Sequence, residues 1–308
     1  MSSFKKLLFY IKHNPRQIFI SFICRISFIF SDEIYLKLLY YISTGSHLNL
    51  KNPQTFGEKI QWLKLYNRKP EYTQMVDKYE VKKYVAEKIG EEYIIPTLGV
   101  WNRVEDIDFE SLPNQFVLKC THDSGGIVIC KDKNKLNIED TKKLLRKTLK
   151  KNYYLQNREF PYKNVVPRII AEQYMVDESG YELKDYKVFC FGGVAKYCQV
   201  VEGRGSIMTA DFYDRNWEHM PFHQPQKYPF ASHLHNKPSC LSLLWNFAET
   251  LSNDIPFVRA DFYIINNHIY FGELTFFPAS GTGGIYPKDW DYTFGSWIEL
   301  SVKDYNKN

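Results

Sequence analysis

Residues 258–277, VRADFYIINNHIYFGELTFF, constrain this chain most. Two runs rich in β-branched and aromatic residues, Val258–Ile265 and His268–Phe276, flank Asn266-Asn267, a pair that tolerates the positive φ of a two-residue loop; together they predict an antiparallel hairpin. The strand period of two puts Arg259 and Asp261 on one face. Asp261 and Glu273 fall on facing strands, close enough to share one divalent ion. A cation and two carboxylates beside a glycine-rich exit (Gly281, Gly283, Gly284) suit a metal-bound phosphate. A buried structural ion pair would use the same residues.

A chain of 308 residues that is 44% hydrophobic can bury a core divided over two or three lobes. Its 23 Tyr and 22 Phe fit mixed cores and interfaces, and leave sugar stacking open. The net charge of +5 is modest. The densest basic run, Lys142–Lys151, has leucines at helical spacing and is either a solvated helix face or a contact for an anionic partner. No nucleic-acid partner is expected. The six cysteines are scattered without a CxxC pair, as in a reduced cytoplasmic protein. His233 and His235 share a polar loop but have no cysteine or carboxylate near them in sequence, so no metal is expected there.

Gln17–Phe30 is apolar, yet Arg25 interrupts it and it is too short to cross a bilayer. Lys12 and Arg16 break the run upstream, and no small-residue cleavage site follows, which argues against a signal peptide. The segment either packs on the protein or lies in a membrane interface with Lys5, Lys6, Lys12 and Arg16 facing lipid phosphates. The expectation is a cytoplasmic protein, with residues 1–30 as its candidate peripheral contact with the inner face of the cell membrane.

Helices are expected up to Gly45, then from Thr55, where Thr55 and Glu58 are spaced as a capping box, and over Asp77–Ile89, stopped by Gly90. Short β runs follow at Tyr93–Ile95, Phe116–Cys120 and Ile127–Cys130. Next come a basic helix at about 139–152, strands at Ile169–Met175, Tyr186–Phe191, Val194–Val201 and Met208–Tyr213, a helix at Ser239–Ser252, the hairpin and a terminal helix. Strands and helices mix without strict βαβ alternation, so the class is α+β.

Three further elements carry polar groups. In FVLKCTHDSGG (116–126) a strand bearing Lys119 runs into a glycine-tipped loop; such a loop lets backbone N–H groups approach phosphate oxygens, and a plain hairpin turn would look the same. IIAEQYM (169–175) is an apolar strand that ends on Glu172-Gln173, either an ordinary strand end or backbone free to pair with an adenine edge. Asp185-Tyr186-Lys187 opens a strand with Asp185 and Lys187 on one face.

In this order the elements resemble the ATP-grasp superfamily. NPQTFGEKIQWLKLYNR (52–68), DKYEVKKYV (77–85), FVLKCTHDSGG and VRADFY…IYFGELTFFPASG resemble in particular its teichuronopeptide-biosynthesis-like (TupA-like) branch, found among bacterial cell-surface polysaccharide proteins. The resemblance spans about residues 45–300. The first forty residues lie outside it, and residues 1–50 read as an N-terminal helical region; the resemblance implies a helical segment (51–115), an ATP-grasp lid subdomain (116–178) and a C-terminal catalytic subdomain (179–308). It implies ATP and Mg2+ as cofactors. Lys119 would contact the α-phosphate or adenine side, and the loop His122, Asp123, Ser124, Gly125 and Gly126 would close over the β- and γ-phosphates. Glu172, Gln173, Tyr174 and Met175 would frame the adenine, Asp185 would face the ribose and Lys187 a phosphate. Arg259 would stabilise the transferring phosphoryl group, and Asp261, Glu273 and Thr275 would ligate magnesium. Thr275 departs from the Asn common in relatives and has a shorter reach.

The implied reaction is ATP-dependent ligation of a carboxylate to an amine, with an amino acid or amino sugar joined to a sugar-acid carboxylate. Arg204 is a candidate clamp for the acceptor, or an exposed loop residue. Two Asp-x-Asp triplets, Asp106-Ile-Asp108 and Asp289-Trp-Asp291, keep a glycosyltransferase as the alternative. A non-catalytic scaffold at the membrane surface is a third reading.

Overall fold

The computed structural model describes residues 15–203, 206–224 and 228–301. The chain opens on helices α1 (Pro15–Arg25) and α2 (Asp32–Thr44). The Ser31 side chain caps α2 by accepting from the Ile34 N–H, and Gly45, at φ 76°, closes it in the left-handed region. Helix α3 (Phe56–Tyr66) begins with the expected capping box: Thr55 Oγ1 accepts from the Glu58 N–H, and the Glu58 carboxylate accepts from the Thr55 N–H. The helix expected over Asp77–Ile89 starts three residues later, as α5 (Glu80–Ile89), and a short helix α4 (Tyr72–Val76) precedes it. The Asp77 carboxylate accepts from the N–H groups of Tyr79 and Glu80, turning the backbone between them.

Nine strands form two antiparallel sheets among the described residues. The four-stranded sheet has the order β1 (Thr97–Trp101), β4 (Ile169–Gln173), β2 (Phe116–Cys120) and β3 (Val128–Cys130). The expected strand at Tyr93–Ile95 is displaced: Glu91–Tyr93 forms a 3-10 turn, and the strand starts at Thr97. Ile94 instead makes one parallel bridge to Phe271 of the other sheet, tying the two together. Helix α6 (Ile138–Leu149) closes the small core of this lobe by burying Leu145 with Phe116, Leu118 and Ile169. Two residues of its basic run have local partners: Arg146 pairs with Glu105 at 2.8 Å, and Lys142 lies over the Phe109 ring. Helix α7 (Tyr153–Asn157) leads back into β4.

The five-stranded sheet has the order β7 (Thr209–Tyr213), β6 (Val194–Glu202), β5 (Asp185–Phe191), β8 (Phe257–Ile265) and β9 (His268–Thr275). Helices α8 (Leu241–Ser252) and α9 (Asp289–Ser296) complete the chain. The main core joins this sheet to α3, α8 and α9 through a nest of rings, in which Phe56, Phe191, Phe257 and Phe294 meet edge to face or tilted at 5.0–6.4 Å. A close approach fixes α9 there: a Cβ on Gly295 would sit 2.1 Å from the Gln54 carbonyl oxygen. All six cysteines are free thiols.

Candidate active site

The centre of the five-stranded sheet carries the first half of the site. Strand β8 runs between β5 and β9, and its residues Arg259–Phe262 have a partner on both sides. Asp261 stands opposite Lys187 and opposite Glu273, and Arg259 opposite Phe189 and Thr275. Directly opposed side chains on one face lie within about 5.5 Å, so a polar row forms across three strands. Lys187 Nζ donates to Asp261 Oδ2 at 2.6 Å. Arg259 grips the same carboxylate with two bonds, Nε to Oδ1 and Nη2 to Oδ2, both 2.6 Å. Burial alone would raise the Asp261 pKa, but the charges of Arg259 and Lys187 outweigh it and hold the pKa below the usual value. Conversely, burial would lower the pKa of Arg259, and the Asp261 charge raises it. Glu273 differs: its side chain is 43% exposed, 3.8 Å from Arg259 Nη2, and accepts one bond from Thr275 Oγ1 at 3.3 Å.

The four-stranded sheet supplies the second half. Lys119 on β2 and Lys82 on α5 both reach Glu172 on β4, at 2.5 and 2.7 Å. Burial would raise the Glu172 pKa, yet the two ammonium groups pull it down to about 2. Lys78, in the turn before α5, is half-buried and donates to the Asp123 carbonyl oxygen. Burial lowers its pKa, against the attraction of Glu273 and Asp123. Its electrostatic neighbours include Lys119 and Glu172 on one sheet and Glu273 on the other, so Lys78 bridges the two halves.

Between the sheets lies a cleft of about 500 Å³, within the range of small-molecule sites. Lys119, Ser124, Glu172, Gln173, Tyr174, Met175, Asp185, Lys187, Asp261 and Glu273 all line it. Four elements distant in sequence therefore converge on one space. Apolar side chains, among them Val117, Ile129, Leu183 and Phe271, form the rest of its wall. Other candidates stand behind the lining. Arg259 acts on the cleft through Asp261, and the Thr275 hydroxyl is engaged by Arg259 Nη2 at 3.1 Å. In the loop 122–126 only Ser124 faces the cleft, while His122 and Asp123 are buried behind it. Burial lowers the His122 pKa, against the attraction of Asp123. Gly126, at φ 65°, presses on Thr148 of α6, where a Cβ would come within 2.5 Å of the threonine side chain. Arg204 lies outside the described residues.

Sequence reasoning missed Lys78 and Lys82. DKYEVKKYV carries a stripe of Val81 and Val85 that reads as the buried face of an amphipathic helix, so its lysines read as the solvated face. Their spacing of four was the only signal. Neither Asp-x-Asp triplet reaches the cleft. Asp108 Oδ1 accepts from the N–H groups of Glu110 and Ser111, and Asp291 Oδ1 from that of Ile285 at 3.3 Å.

Oxygen donors of this kind suit a hard divalent cation such as magnesium. Glu273 is the carboxylate open to the cleft. Asp261 keeps lone pairs for an ion, although Lys187 and Arg259 already hold both of its oxygens.

The family model described as TupA-like ATPgrasp matches residues 58–299. No curated protein matches the sequence. Among solved structures, D-alanine–D-alanine ligase from Bacillus anthracis, complexed with ATP, is 13% identical over 65% of this chain and 53% of its own, with a TM-score of 0.37. The same ligase from Helicobacter pylori is 15% identical over 79% and 69%, with a TM-score of 0.41. Biotin carboxylase from Campylobacter jejuni is 13% identical over 75% and 48%, with a TM-score of 0.42. The chain spans about half the length of the Bacillus anthracis enzyme, and at such scores the superpositions are partial.

Proposed function

The chain belongs to the TupA-like ATP-grasp family, and from that premise we propose that it ligates a carboxylate to an amine at the expense of ATP. The observation that carries the reading is the meeting of two charged clusters across one cleft, Lys119 and Glu172 of one sheet with Lys82 of α5, and Lys187–Asp261–Glu273 of the other sheet. In this reading Glu172 to Met175 hold the adenine, Asp185 the ribose, and Lys119 and Lys78 the phosphates. The lobe of residues 116–178, with β1 as its edge strand, and the lobe of residues 179–308 would close on the nucleotide.

A carboxylate is a poor electrophile, so its oxygen first attacks the γ-phosphorus; the bond to the β-phosphate oxygen breaks, and ADP leaves. The amine nitrogen then attacks the acyl carbon, phosphate departs and the amine gives up a proton. Magnesium, held by Glu273 and Asp261, would neutralise phosphate charge. Lys187, on the cleft wall, would meet the charge that develops on the transferring group, and Arg259 would act on it through Asp261, which is most of what phosphoryl transfer asks of a protein. Because both already bond Asp261, they are fixed before substrate arrives and need little reorganisation.

The branch suggests a role in bacterial cell-surface polysaccharide biosynthesis, joining an amino acid or amino sugar to a sugar acid in the cytoplasm. The exposed apolar residues Phe19, Phe22, Phe28, Ile29 and Ile34 suit a peripheral membrane contact. The decisive assay measures ADP and phosphate release. Release is expected only when both a carboxylic acid and an amine are supplied, and Lys187→Ala should lower kcat by roughly 10²–10³ with the fold intact. Release of a nucleoside diphosphate from a nucleotide sugar, without ATP, would overturn the reading.

A further inference from the structure

A second polar cluster lies outside the cleft, at the β7 edge of the five-stranded sheet. Glu202 ends β6, and the loop after β7 folds back across that edge, bringing His233 and His235 to it. The Glu202 carboxylate, unreadable as a neighbour in sequence, is the partner these histidines lacked. His233 Nε2 is 3.6 Å from Glu202 Oε1, and His235 Nδ1 is 3.9 Å from Oε2. One donor atom from each of the three residues lies within 4.8 Å of the other two.

These separations are too long for hydrogen bonds. Donors about 2.0–2.2 Å from a tetrahedral ion stand about 3.3–3.6 Å from one another, which is the spacing to which the cluster comes near. We propose that Glu202, His233 and His235 form a binding site for one divalent transition-metal ion of the zinc class. Two imidazoles and one carboxylate favour such an ion over magnesium, which prefers an all-oxygen shell.

The surroundings support a built site. His235 is buried, with only 6% of its side chain exposed, and its Nε2 has no hydrogen bond. That nitrogen faces Asp211 Oδ2 at 3.7 Å, so the ring lies between two carboxylates, Glu202 on the ligand side and Asp211 behind. A carboxylate behind a ligand histidine fixes its tautomer and raises its basicity. Asp211 is itself held by His219 Nε2 at 2.9 Å and by the Ala231 N–H at 3.0 Å. The His235 backbone is pinned at both ends: its N–H donates to the Tyr213 hydroxyl at 2.8 Å, and its carbonyl accepts from Trp217 Nε1 at 2.9 Å. His233 is 58% exposed, which leaves an entry path for the ion and a fourth position for water. The ion would clamp the returning loop to β6, beside Gly203, whose N–H donates to Glu182 in the cleft wall at 2.9 Å.

The test uses the untagged full chain, stripped with chelator and kept in excess magnesium, with zinc titrated against a colorimetric chelator. One equivalent of zinc should bind and raise the Tm. Binding should be lost in Glu202→Gln combined with His233→Ala, and Asp211→Asn should weaken it roughly 10–100-fold. The Mg-ATP thermal shift should persist in the double variant, since neither residue lines the cleft. That shift also reports that the variant is folded. No zinc uptake by the parent chain, or equal uptake by the double variant, would overturn the proposal.

Discussion

Single residues in the cleft divide into charges the fold has neutralised and charges it leaves available. Asp261 and Glu172 are buried and each held by two cations, while Glu273 remains 43% exposed. For Glu172 the consequence is a pH dependence of stability. Its folded pKa, about 2, lies below the unfolded 4.5, so its contribution is complete above pH 4.5 and fades as pH falls toward 2. That contribution is about 3 kcal/mol. Glu172→Gln should therefore be less stable than the parent at pH 6 by an amount of that order, and the gap should narrow steadily below pH 4.5. Urea unfolding between pH 3 and 6 measures it; a gap independent of pH would mean that the Lys82–Glu172–Lys119 cluster contributes no charge interaction.

At the scale of elements, two glycines illustrate different demands. Gly45 closes α2 at φ 76° with open space around it, so Gly45→Ala should cost only the left-handed strain, about 1 kcal/mol. Gly295 stands in an ordinary helix, where Ala would normally stabilise. Its missing Cβ is what lets α9 lie against the start of α3, 2.1 Å from a backbone oxygen that cannot rotate away. Gly295→Ala should thus cost more than Gly45→Ala, about 2–3 kcal/mol through forced backbone shifts. Comparing the two denaturation midpoints decides it, and the reverse order would refute the packing argument. The same seam carries the capping box of α3, so its entry angle is set twice, once by Thr55 and Glu58 and once by Gly295.

The whole molecule presents two surfaces of different kinds. The cleft gathers charge between two sheets, while the N-terminal helices turn Phe19, Phe22, Phe28, Ile29 and Ile34 outward. No helix among the described residues is long and apolar enough to cross a membrane. An exposed apolar face with basic residues nearby in sequence fits the surface of an anionic bilayer. The full chain should co-sediment with phosphatidylglycerol vesicles, less so at high salt, and Phe22→Ser with Phe28→Ser should release it. Unchanged sedimentation of that variant would assign any lipid affinity to another surface.

The alternating runs, the Asn-Asn turn and the Thr55–Glu58 spacing determined the hairpin and the capped helix by themselves, because strand period and cap chemistry act over two to four residues. They also put Asp261 and Glu273 on facing strands, but the register set by the turn would place Gly272 opposite Asp261; a bulge between Asp261 and Phe262 is what brings Glu273 there. What the tertiary structure alone decided depends on contacts far apart in the chain. Lys82 meets Glu172 across ninety residues of sequence, Glu202 meets His233 and His235 across a loop, and the cleft itself exists only where two sheets face each other. Local patterning marks which face of a helix or strand is apolar. It carries no information about which distant carboxylate a lysine or histidine on the other face will meet, because that is set by how the sheets and helices pack.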